Sequence, residues 1–131
     1  ETYKTTPERF LEKTQAMVDE YTVRNEGPRN FPVVKPPPGG DVYMVSRLWE
    51  FWPIIELEEG QSYRFHLTSM DWQHGWSLQP ANINIQVVPK YEHVFTLTPN
   101  SAGEYSVICN EYCGVGHHLM IGKIHVVESG K

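Results

Sequence analysis

From Asp41 to its C-terminus the chain is cut into short β-forming runs, and a turn signal stops each run before it can lengthen. The runs are Val42 to Trp49, Ile54 to Leu57, Tyr63 to Thr68, Ile83 to Val88, Val94 to Leu97, Glu104 to Ile108 and Gly122 to Val127. Pro53, Gly60, Pro89 and the segment from Pro99 to Gly103 punctuate them. This spacing predicts an all-β fold, an antiparallel Greek-key β-sandwich, because short strands with one apolar face hide that face by packing two sheets together. Tyr63, Phe65 and Leu67 share one face of the third run, the alternation of a strand with one dry side.

The first forty residues read differently. Thr6 and Pro7 look like a helix start, with Thr as the N-cap and Pro in the first turn. Phe10, Leu11, Thr14, Met17, Val18 and Tyr21 then recur at helical spacing. The helix is expected to end before Gly27 and Pro28. Residues 1–28 are therefore read as an N-terminal amphipathic helix, residues 29–40 as a Pro/Gly-rich extended linker, and residues 41–131 as the β domain. The helix is either the end of a removed membrane anchor or a cap packed on the domain. The chain opens at Glu1 rather than Met, so a processed or truncated product is expected. No apolar run approaches the roughly 20 residues of a membrane-spanning helix, and the anchor is expected to be absent from this sequence.

At 131 residues, with 40% hydrophobic content, one packed domain is the expectation. The formal net charge of −5 argues against a nucleic-acid partner, which needs a concentrated basic face. An acidic surface either attracts a basic protein such as a cytochrome or simply keeps the domain soluble. There is no Ser/His/Asp constellation, no paired carboxylates and no phosphate-binding glycine loop, so no catalytic residue is assigned.

The chemistry concentrates in one segment. Cys109, Cys113, His117 and Met120 follow the spacing Cys-x3-Cys-x3-His-x2-Met and include both cysteines of the chain. Thiolates, imidazole and thioether are soft donors that suit copper better than the hard cations. His74, far upstream, offers a second imidazole, and five donors exceed the usual need of one electron-transfer copper. Two metal ions sharing bridging thiolates would use them all. The segment joins two expected strands, so it reads as a loop held at both ends by the sandwich, with His74 just past the strand around Phe65. Two other classes stay open: a mononuclear copper carrier or zinc hydrolase, and a metal-free interaction domain with one disulfide. A catalytic zinc leaves a position open for water and rarely takes Met. A staple closing so few residues would gain little.

Together with Ser69, Asp71 and His74 in a Ser-x-Asp-x-x-His context, this spacing resembles the dinuclear CuA domain. That domain occurs in subunit II of haem–copper cytochrome c oxidases, here closest to the B-type bacterial enzymes, and in nitrous oxide reductase. The likeness runs from about Asp41 to Glu128. It implies a cupredoxin-like fold, two bridging thiolates from Cys109 and Cys113, and one copper ion on each of His74 and His117. Met120 and the backbone carbonyl of Glu111 become weak axial ligands. In many oxidases the Glu111 side chain also reaches a magnesium ion at the contact with subunit I, whereas B-type relatives often carry a neutral residue there. Asp71 is either the carboxylate that orients His74 or an ordinary turn aspartate.

The family's electron-input point is usually an aromatic patch beside the copper. Trp49, Phe51 and Trp52 are the corresponding stretch, although the usual tryptophan position falls near Arg47 or Leu48, a departure. At least one of Trp49 and Phe51 reads instead as a core or inter-sheet residue. Trp72 and Trp76 flank His74 and are expected to exclude water. His66, His93 and His125 fall on the polar sides of their runs and are expected on the solvated surface. Met17, Met44 and Met70 are expected to fill the core. The resemblance implies an electron-transfer module of a terminal oxidase on the periplasmic or extracytoplasmic face of the membrane. Its partners would be a c-type cytochrome or another small redox protein as donor, and the haem of catalytic subunit I as acceptor. Nitrous oxide or nitric oxide reductase is the alternative within the same metal class.

Overall fold

Thr6 opens the N-terminal helix as its sequence predicts: its backbone is extended and its hydroxyl accepts from the amide of Arg9. The structure, a computed structural model, describes residues 1–110 and 120–129. Helix α1 spans Pro7–Tyr21 and buries Phe10, Thr14, Met17 and Val18. It stops six residues earlier than Gly27 because Thr22 begins a strand; β-branched Thr22 and Val23 favour extended backbone over a further helical turn.

Two sheets follow. The first has five strands in the order β1 (Thr2–Lys4), β10 (Tyr91–Leu97), β7 (Tyr63–Ser69), β4 (Asp41–Arg47) and β5 (Glu50–Trp52). The second has seven: β2 (Thr22–Glu26), β3 (Phe31–Val34), β6 (Ile54–Glu58), β12 (Ile121–Val127), β11 (Gly103–Ile108), β8 (His74–Gln79) and β9 (Ile83–Val87). The chain changes sheet between β1 and β2, β3 and β4, β5 and β6, β6 and β7, β7 and β8, β9 and β10, and β10 and β11, the winding of a Greek-key sandwich. Their inner faces meet in one core. Phe65 and Phe95 of the first sheet close on Trp76 of the second with ring centroids 5.7–6.2 Å apart. The Trp76 indole donates to the sulfur of Met44 at 3.3 Å, so its one polar atom is satisfied inside the core.

Several expectations need correction. The sheets are mixed rather than antiparallel, since β4 pairs β7, β12 pairs β6, and β3 pairs β6 in parallel. Residues 31–34, read as connector, are a strand whose Val33 and Val34 are fully buried. β1, β5 and β8 were not expected. β8 was hidden because five of its six residues are buried, which erases the alternation that marks a half-wet strand.

The pairings give the sandwich two ends. Arg47, Ser69, His74, Val87, Ile108 and Ile121 gather at one, and Asp41, Tyr63, Gln79, Gly103 and Val127 at the other. α1 packs across β4 and β7 of the first sheet.

Candidate metal centre

The base of the candidate site is a strand ladder. β11 and β12 remain paired to their last residues, Ile108 opposite Ile121. One step further the Cys109 amide donates to the Met120 carbonyl at 3.3 Å. Cys109 and Met120 are both buried and both belong to the core cluster. The two ends of the Cys-to-Met segment are thus fixed by backbone pairing.

β8 flanks β11 on its other side, with Ile108 opposite Ser77. Following that antiparallel register brings Asn110 against Gly75, and the two are in fact in close approach. A Cβ on Gly75 would lie 1.7 Å from Asn110 Oδ1 and 3.1 Å from its amide nitrogen. Only glycine lets the chain leave β11 this close to the residue beside His74. Asn110 is then held by its side-chain amide donating to Asn84 Oδ1 at 3.2 Å.

His74 is the first residue of β8, not a loop residue, and is fully buried. Its Nε2 lies 2.6 Å from Asp71 Oδ1. A carboxylate oxygen accepts, so Nε2 donates, and in the neutral ring the lone pair is on Nδ1. That Nδ1 is buried with no hydrogen-bond partner among the described residues. An orphaned polar atom of this kind costs about 1–3 kcal/mol unless something binds it. Asp71 is itself fixed: Oδ1 also accepts from the Trp72 amide and Oδ2 from the Leu48 amide, both at 2.8 Å. Ser69 supports the turn, accepting from the Asp71 amide at 3.2 Å and donating to the Trp72 carbonyl. Asp71 is therefore at once a turn residue and the carboxylate behind His74. A neutral imidazole, oriented by a carboxylate and left with a buried lone pair, fits a metal ligand.

Glu111, Cys113 and His117 lie outside the described residues. Among the described residues no three His, Cys, Asp or Glu side chains gather as a metal site. The structure brings Cys109, Met120, Asn110, His74 and Asp71 to one end of the sandwich.

The aromatic run divides. Phe51 has no exposed surface, and its Cβ would be 2.7 Å from a Cβ on Gly122. A residue without surface cannot meet a donor protein, so its assignment to electron input is corrected to the core. Trp49 and Trp52 are half-buried at the same end. The Arg47 guanidinium lies 5.2 Å from the Trp52 ring centroid and is held by Glu50, which also pairs with Arg29. Trp76 is sealed in the core while Trp72 is 51% exposed, so only the former excludes water. Leu48, beside Asp71, is exposed as well.

His66 is not on the solvated surface. Glu92 and Asp41 take its two ring nitrogens at 2.7 and 2.8 Å, and Tyr43 stacks on the ring. His93 and His125 are half-buried. Burial, and then the positive N-terminus, lower the pKa of His93, whose Nε2 accepts from the Val88 amide at 3.2 Å. A hydrogen bond from His125 is the largest cause of the lowered pKa of Glu26.

No family model matches the chain. A cytochrome c oxidase subunit 2 from Thermus thermophilus is 40% identical over 116 residues, 85% of this chain and 86% of that protein. Among solved structures, a chain of a haem–copper terminal oxidase dimer aligns over 92% of this chain and 88% of its own, with TM-score 0.63 and 23% identity. The periplasmic domain of subunit II of the cytochrome oxidase of Bradyrhizobium japonicum aligns over 72% of this chain and 88% of its own, with TM-score 0.63 and 18% identity. At these identities the two structures carry the fold, the cupredoxin-like sandwich expected from the sequence.

Proposed function

Because this chain belongs to the cytochrome c oxidase subunit 2 family, we propose that it holds a dinuclear copper centre through which electrons enter a terminal oxidase. The observation that carries this reading is the buried His74 Nδ1, a lone pair with no hydrogen-bond partner among the described residues. His74 would hold one copper and His117 the other, with Cys109 and Cys113 bridging the pair. Met120 and the carbonyl of Glu111 would be weak axial donors. Copper held by this soft donor set would supply one-electron exchange with little rearrangement.

The protein's own part is to hold the donors still. Asp71 keeps the proton on Nε2, so Nδ1 stays a donor and the ring cannot turn. The β11–β12 ladder fixes Cys109 and Met120 at the ends of one loop, and a rigid frame limits geometric change between oxidation states. Trp76 and the core beneath it keep water away from the buried side. Trp49 and Trp52 would form the electron-input surface.

The donor is proposed to be a c-type cytochrome or another small redox protein, and the acceptor the haem of the catalytic subunit, with the metal end facing the periplasm or cell exterior. Residues 41–131 would form the copper-bearing unit. Copper counting and paramagnetic resonance on the copper-loaded protein test the reading. Two coppers per chain, with one unpaired electron shared equally by two nuclei, are expected. A single metal, or a disulfide between Cys109 and Cys113 in the metal-free and metal-treated protein alike, would refute it.

A further inference from the structure

The net charge of −5 suggests a negative docking face, but the fold separates its charges along the sandwich. Asp41 at the start of β4, Glu58 at the end of β6, Glu59, Glu104 near the start of β11 and Glu128 after β12 lie at the end away from His74, with Arg64 among them. The His74 end also carries Asp71 and Glu50, but Glu50 is paired with Arg29 and Arg47, and Asp71 is taken up by His74 and two backbone amides. Lys4 pairs with Tyr91 across β1 and β10, Lys90 precedes Tyr91, and Arg9 lies in the first turn of α1. With Glu8 on the rim, these residues surround an open depression of about 520 Å³. Lys4, Arg9 and Lys90 are exposed, and none forms an ion pair among the described residues. Arg24, Arg29, Lys35, Arg47 and Lys123, by contrast, each have a carboxylate.

A backbone bridge ties the cationic depression to the metal end. Pro89, next to Lys90, bridges to Ser69, and Ser69 supports the turn that carries Asp71 and His74. Trp72 on that turn is 51% exposed, and Leu48, whose amide donates to Asp71, is 38% exposed; they give this end its apolar surface. An apolar centre with a charged rim is the anatomy of a protein-docking surface. The sign of the rim selects the partner.

We propose that this face receives a redox partner with an acidic docking surface, the opposite of the partner that the chain's net charge would select. The inference rests on the dicopper reading, because it supposes that a partner approaches the His74 end to exchange electrons. Acidic groups would meet Lys4, Arg9 and Lys90 while an apolar patch covers Trp72 and Leu48. The carboxylate-rich far end would repel the same partner, so the molecule's field orients the encounter.

The test uses the copper-loaded chain with two reduced c-type cytochromes, one strongly acidic and one strongly basic, followed by stopped-flow and by calorimetric binding at low salt. The acidic cytochrome should bind and react faster, and its rate should fall as ionic strength rises. The triple variant Lys4→Glu, Arg9→Glu, Lys90→Glu should slow that reaction about tenfold, and the neutral Gln triple variant should fall between. Melting temperature and the copper spectrum should match wild type in both. A wild-type preference for the basic cytochrome, or rates blind to both variants, would overturn the proposal. So would binding to anionic phospholipid vesicles that the variants abolish while cytochrome rates stay unchanged, which would make the patch a membrane contact. Lack of the dicopper signal in wild type would refute the parent reading; an intact signal with charge-blind kinetics would refute this inference alone.

Discussion

His66 and His74 are both buried and both held by carboxylates, yet they differ in one nitrogen. His66, in the first sheet beneath α1, gives both ring nitrogens to Glu92 and Asp41. His74, in the second sheet, gives only Nε2 to Asp71 and keeps a buried Nδ1 with no hydrogen-bond partner among the described residues. Burial does not separate a structural histidine from a ligand. Accounting for both nitrogens does. The His66 region is a closed network in which Tyr43 stacks on the ring and Phe10 of α1 meets Tyr43 edge-on, tying the helix to the sheet. The His74 region leaves one buried nitrogen without a hydrogen-bond partner among the described residues, the atom that the proposed copper would take.

The comparison breaks most sharply by exchanging the two outcomes. His74→Ala should abolish the two-copper signal while leaving the melting temperature close to that of the metal-free wild type. His66→Ala should keep the copper signal and lower stability by roughly 3 kcal/mol, since Glu92 loses a buried partner, as a denaturant titration would read. Copper loss in the His66 variant with retention in the His74 variant would reverse the assignment. Next in size, Asp71→Ala should weaken copper affinity about 10–100-fold, the usual cost of removing the group behind a ligating histidine, measured by competition with a chelator. Met120→Leu should be milder, moving the reduction potential in voltammetry while both coppers stay. Loss of all colour in that variant would count against a weak axial role.

The smallest effect concerns pH. His93 has a folded pKa below its ordinary value of 6.5 because it is buried, and it accepts the Val88 amide beside the strand that faces His74. The unfolded chain takes up that proton first. Stability from this group is therefore full above pH 6.5 and declines as pH falls toward the lower folded value. His93→Gln should flatten this part of a melting-temperature profile in the metal-free protein. An unchanged slope would show that His93 does not carry it.

What the sequence displayed depended on which surfaces were wet. β7, β10 and β12 showed their alternation and were placed within a few residues, whereas β8, buried along nearly its whole length, carried no such pattern. β3 was masked by the prolines around Val33 and Val34. His66 was misread because Arg64, His66 and Thr68 look like a wet face; α1 covers that side, and only Arg64 is exposed. For the site, the sequence displays donor types and a spacing, of which the described residues place Cys109, Met120 and His74 at one end of the sandwich. The contacts of Asp71 and Leu48 were not legible, because they join segments 23 residues apart. Gly75 was the overlooked signal: a glycine beside a candidate ligand marks a close backbone approach. The separation of charge was equally invisible, since it arises from strand direction.

Diffraction from the copper-loaded protein at the copper absorption edge tests the central claim most directly. Two anomalous peaks are expected at the His74 end, one of them about 2 Å from His74 Nδ1, the length of a metal–imidazole bond, with Nε2 still on Asp71. A single peak, bonding through Nε2 with Asp71 turned away, or copper bound at His66 instead would contradict that claim.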